Sequence, residues 1–63
     1  MIKVQTITTE SMRLKKGAED HDIAINKIIT DNIGYKVNII SANSFYIESK
    51  HTFCLTTTIQ ITY

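Results

Sequence analysis

Proline and tryptophan are absent from these 63 residues, glycine occurs twice and cysteine once. Each shortage removes a class of architecture. With Cys54 the lone thiol, no internal disulfide can form, which suits a reducing cytoplasm better than a secreted, cross-linked scaffold. Gly17 and Gly34 alone cannot build the glycine-rich phosphate loop of P-loop or dinucleotide folds. The ligand-type side chains Cys54, His21, His51 and the scattered carboxylates lack the paired spacing of zinc sites, so neither a metal nor a cofactor is expected. No charged-then-apolar segment opens the sequence and no apolar run approaches the length of a bilayer span. A cytoplasmic protein without a membrane partner is the expectation. An excess of one charge is lacking too: seven basic and six acidic residues leave a formal +1 and a pI near 7.9, which disfavours nucleic acid as a partner.

What remains is short. A domain of this length buries only about 60% of the surface its unfolded chain exposes. Chains so small usually gain stability from disulfides, a metal or partner subunits. The first two lack support here, so the sequence predicts a homo-oligomer. Isoleucine and threonine are abundant and six of the seven basic residues are lysine, a bias associated with AT-rich bacterial or phage genes.

The strongest pattern comes last. Phe53, Leu55, Thr57, Ile59, Ile61 and Tyr63 alternate with Thr52, Cys54, Thr56, Thr58, Gln60 and Thr62, the period-two signature of a half-buried strand. Residues 35–48 read as a second strand, bulged or bent at Ala42-Asn43-Ser44 and returning through Glu48-Ser49-Lys50-His51, with a tight turn at Asn43-Ser44 as the competing register. Met1–Thr9 reads as a third strand whose alternation slips, since Ile2 and Val4 share one face and Ile7 takes the other. Between them Ala18, Ile25, Ile28 and Ile29 recur at helical spacing, with Leu14 one turn earlier. Glu19, Asp20 and Asp22 would complement the dipole at the helix start, and Gly34 is placed to end the helix in a left-handed conformation. Gly17 leaves the start open between Ser11 and Ala18; a helix over residues 18–32, after an exposed Arg13-Leu14-Lys15-Lys16-Gly17 loop, is preferred. The sum is a single α+β domain of order β-α-β-β, one helix on a three-stranded, largely antiparallel sheet. Phe53, Leu55, Ile59 and Ile61 would face Ile25, Ile28 and Ile29, leaving a threonine-rich face opposite.

Several side chains invite a chemical role. His51 and Cys54 are three apart, an offset that points strand side chains to opposite faces, and no orienting acid is evident, so no enzyme is expected. Asp20-His21-Asp22 diverge around a helix axis and read as a solvated helix start, although His21, on or beside the apolar stripe, could also be a partly buried interface residue. Arg13, Lys15 and Lys16 form the one basic cluster, able to meet a phosphate or an acidic protein surface. Thr56, Thr58 and Gln60 form a row of hydroxyl and amide groups suited to a ligand, and Tyr35 could stack on a planar ring. Phe45, Tyr46, Phe53 and Tyr63 are the expected oligomer contacts.

The run Ile25-Asn26-Lys27-Ile28-Ile29, then Tyr35-Lys36-Val37-Asn38-Ile39, then Thr52-Phe53-Cys54-Leu55 leading to Ile59-Gln60-Ile61-Thr62-Tyr63, resembles the short sporulation-associated proteins of spore-forming bacteria and their phage-borne relatives. That resemblance implies no catalytic residues. The element order and length are also similar to those of dodecins, flavin-binding proteins in which a long antiparallel sheet wraps one helix and twelve subunits form a shell. There an aromatic residue at the start of the second strand stacks on the flavin; Tyr35 is the nearest match, standing where the dodecin pattern has tryptophan.

The function these features predict is a small homo-oligomeric phage or mobile-element accessory protein. It would sequester a nucleotide-type signalling molecule or inhibit a host protein. A dodecin-like flavin store and a structural partner that offers its sheet edges to another protein are the alternatives.

Overall fold

In a computed structural model describing residues 1–63, the chain runs β1 (Ile2–Ser11), α1 (Leu14–Asp31), β2 (Lys36–Ile47), a 3-10 turn at Glu48–Lys50, and β3 (Thr52–Thr62). The fold is α+β, one helix on a three-stranded antiparallel sheet, as the alternation and the single helical stretch predict. Strand order is β1-β3-β2, so the most regular apolar strand takes the centre and both others are edges. Ile2 pairs with Thr62 and Ser11 with Phe53, while Lys36 pairs with Thr62 and Ile47 with Thr52.

Four local expectations need correction. α1 begins at Leu14, so Lys15, Lys16 and Gly17 are helical and not a loop. Tertiary packing overrides the start signals: buried Gly17 brings the helix close against the sheet, where an added Cβ would lie 2.9 Å from Ser11 Cβ and 3.3 Å from Leu55 Cδ1. The first turn therefore carries Lys15 and Lys16 and no acidic residue, and Arg13 precedes it with no side-chain cap. The irregularity in β2 falls between Ile39 and Ser41, upstream of Ala42-Asn43-Ser44, and no turn occurs at Asn43-Ser44 because pairing with β3 continues to Ile47. Ile29 is nearly half exposed, since α1 lies over β1 and β3 and turns that side of its stripe away from them.

Elsewhere the pattern holds. Gly34 has φ +94, a positive φ as expected, but it lies two residues past the Asn32 cap, in the turn closed by the Tyr35 amide on the Asn32 carbonyl at 3.0 Å; the Asn32 side chain itself donates to the Ile28 carbonyl at 2.8 Å. The slip expected in the first strand is a division of apolar residues between faces. Half-buried Ile7 pairs with Thr57, which faces α1, while exposed Ile2 and Val4 pair with Thr62 and Gln60 on the opposite face.

The core is thin. Six residues are buried and only Ile59 and Ile61 are fully enclosed among large side chains. The accessible surface is 4596 Å², against about 4,100 Å² for a compact monomer of this mass. The radius of gyration is 12.9 Å and the principal extents are 40 × 16 × 11 Å, where a compact chain of this length would have a radius of about 10.6 Å. The molecule is a narrow plate with one helix on part of one side. No helix is long and apolar enough to cross a membrane.

Candidate functional site

A threonine interrupts the apolar row of β3. Between Leu55 and Ile59, Thr57 faces α1 and is buried, so its hydroxyl needs a partner. His21 supplies it from the helix: Nε2 lies 2.7 Å from Thr57 Oγ1, and Nδ1 lies 2.8 Å from Thr9 Oγ1 on β1. A neutral imidazole donates through one nitrogen and accepts through the other, and each hydroxyl can take either role, so both tautomers are satisfied. The three side chains clamp the helix to the outer and central strands. His21 is thus a buried structural residue: its place beside the apolar stripe holds, and its reading as part of a solvated helix start does not.

Beside this clamp the helix-side face of the sheet is uncovered. An open groove of about 320 Å³ runs between α1 and β2, lined by Asp22 and Ile25 of the helix, Ile39, Asn43 and Ser44 of β2, and Leu55 of β3, with His21 and Thr57 at its inner wall. Ile39 on its floor is 57% exposed. Apolar side chains thus form the floor and one wall, beside the Asp22 carboxylate and the Ser44 hydroxyl; the Asn43 amide turns to the far face, where it donates to Ser41 Oγ at 3.4 Å. The groove can take a flat apolar body and hydrogen-bond its edges.

The structure scatters the residues expected to bind a ligand. Arg13 and Tyr35 flank opposite ends of α1, whose 18 residues span about 27 Å. Lys16 turns back to Asp20 at 3.2 Å, an exposed pair one helical turn apart, and Lys15 is exposed beside it. Thr56, Thr58 and Gln60 lie half-buried on the far face, where Thr58 shares a 3.2 Å hydrogen bond with Thr6. Within one chain, no single ligand touches all three groups. The aromatics pair at the two ends of the plate: Tyr35 with Tyr63, ring centres 5.2 Å apart, and Tyr46 with Phe53, 5.0 Å apart. Phe45, Tyr46, Tyr35 and Tyr63 each remain about half exposed.

His51 has φ 52 at the end of the 3-10 turn and its Nδ1 lies 3.3 Å from the Tyr46 hydroxyl. Cys54 is buried on the threonine side, with its sulfur 4.0 Å from Thr56 Oγ1. The groove residues Asp22, Ile39, Asn43 and Ser44 escaped the sequence reading. One signal was present: Thr57 at a core-facing position requires a polar partner, which points to His21 on the helix.

Compared with family models, curated proteins and solved structures, the chain matches none.

Proposed function

We propose that this chain is a self-associating, non-enzymatic binding protein of the bacterial cytoplasm that holds a planar nucleotide-type ligand, ring first, in the groove between α1 and β2. Withdrawing that molecule from solution is its activity. The groove carries this reading. Its roughly 320 Å³ lies at the small end of ligand sites, which run from about 300 Å³, and matches one ring system. Ile25, Ile39 and Leu55 offer flat apolar contact, and Asp22 and Ser44 offer an acceptor and a donor to a base edge. Both nitrogens of His21 are engaged by threonines, which favours holding a ligand over transferring its protons.

Thermal melting of the purified full chain with mononucleotides, cyclic nucleotides and riboflavin tests the proposal. A ligand at a hundred times its Kd stabilises by about 2.7 kcal/mol, a shift on the order of 10 °C for a domain this small. Ile39→Arg, which puts a charge on the groove floor, is expected to remove the shift. No shift with any ring-bearing ligand would refute it.

A second reading takes the ring as flavin and moves it out of the groove to Tyr35. Tyr35, half exposed immediately before β2 and backed by Tyr63, occupies the position that the dodecin resemblance gives to the flavin-stacking aromatic. Riboflavin fluorescence should then be quenched by the protein, and less so by Tyr35→Ala. Equal quenching by both proteins would exclude that role for Tyr35.

A further inference from the structure

We infer that a second copy pairs along the free edge of β2, antiparallel and about a two-fold axis normal to the sheet, so that two half-open grooves become one trough; this rests on the self-association proposed above.

β2 is an edge strand of twelve residues with no proline and one charge, Lys36 at its beginning. Edge strands of soluble proteins are normally shortened, charged or covered, because their unpaired amides and carbonyls recruit another strand. β1, the other edge, carries Lys3 and Glu10, and α1 packs over it. The β2 flank has no such cover: Ile39, Ile40, Phe45 and Tyr46 are all about half exposed along it. A stable interface takes about 800 Å² from each partner, roughly a sixth of this chain's 4596 Å². Near-neutrality selects the occupant: a strand with a single cation neither repels its own copy nor calls for a charged foreign partner.

The consequence is geometric. A two-fold axis normal to the sheet keeps both helices on one side, over a continuous sheet ordered β1-β3-β2-β2-β3-β1. Each helix sits over its own β1 and β3, so the helix axes stand four strand spacings apart, about 19 Å at ~4.8 Å each. Subtracting a helix diameter of about 10 Å leaves a trough about 9 Å wide. Its floor is the paired β2 strands, with Ile39 and Ser44 from each copy, and its walls are Asp22 and Ile25 from each helix. A single chain supplies one wall only.

Light scattering on the full chain should give a multiple of 7.2 kDa; a 7.2 kDa species at all concentrations would remove the self-association reading and this inference together. In a Cys54→Ala background, Ala42→Cys at the centre of β2 should yield cross-linked dimer with a short bis-maleimide. Thr6→Cys at the centre of β1 should not, because the two β1 strands would lie about 24 Å apart, five spacings. Assembly with cross-linking through Thr6→Cys alone, or through neither, would overturn the β2 joint while leaving self-association standing. Hydrogen exchange on the unaltered chain gives the same decision without substitutions: outward amides of β2 protected is the expected result, and β2 exchanging freely in an assembled species overturns it.

Discussion

Gly17 and His21 show how single residues set the distance and angle of the one helix. Adding a methyl at Gly17 would improve helix propensity by about 1 kcal/mol. The new Cβ would meet Ser11 Cβ, an atom rigidly tied to its own strand, at 2.9 Å, and overpacking of that kind costs about 1–3 kcal/mol. Gly17→Ala is therefore expected to lower stability by about 1 kcal/mol in urea melting. At the clamp, His21→Leu leaves the buried Thr57 hydroxyl unpaired, a loss of about 2–3 kcal/mol. Adding Thr57→Val should cost less than the sum of the two single changes, because each alone strands the other's polar atom. A double-mutant cycle measures that coupling. Thr52 is the opposite case: its hydroxyl is buried without a partner, and Thr52→Val should be neutral or stabilising by up to about 1 kcal/mol.

At the scale of elements, β3 and the existence of the helix were legible because their periodicities are regular and long. The helix start was not. Glu19, Asp20 and the break at Gly17 place it near Ala18, while Leu14 at helical spacing points earlier, toward Ser11; the real first turn has two lysines and follows an Arg13 without a side-chain cap. Packing of Gly17 on Ser11 and Leu55 outweighs the acidic cues, and the Leu55 contact joins residues far apart in sequence. The same mismatch yields a prediction. Arg13→Asp supplies both a cap acceptor and a negative charge at the helix N-terminus, and should raise stability by about 1 kcal/mol. Gly34 takes the positive φ expected of it, in the turn after the Asn32 cap, and has open space around it. Gly34→Ala should cost only the backbone strain of about 1 kcal/mol. The groove was illegible for a further reason: Asp22, Ile39 and Ser44 converge only because β3 lies between β1 and β2, and strand order is not written in any one segment.

For the whole molecule, surface outweighs interior. Ile59 and Ile61 are the only large side chains fully enclosed, and burying each contributes about 1.5–3 kcal/mol, against a backbone ordering cost of about 1–2 kcal/mol for every residue. The proposed assembly would enlarge that interior, and its stability would then depend on protein concentration. Serial tenfold dilution should lower Tm by several degrees at each step; an unchanged Tm across the series would mark a self-sufficient monomer. Ile59→Ala, which empties part of this small centre, should cost about 2–5 kcal/mol and abolish cooperative melting in dilute solution.

The central position of β3 also has a consequence for how the chain acquires its shape. β1 and β2 never touch one another as partners; each waits for a strand that follows both of them in sequence. Contacts such as Ile2 with Thr62 close a loop of nearly the whole chain, and long loops of this kind are slow to form. On a ribosome, the first fifty residues would emerge with two sticky ribbons and no sheet to join. The arrival of β3, not synthesis of the helix, sets the moment at which this sheet can form.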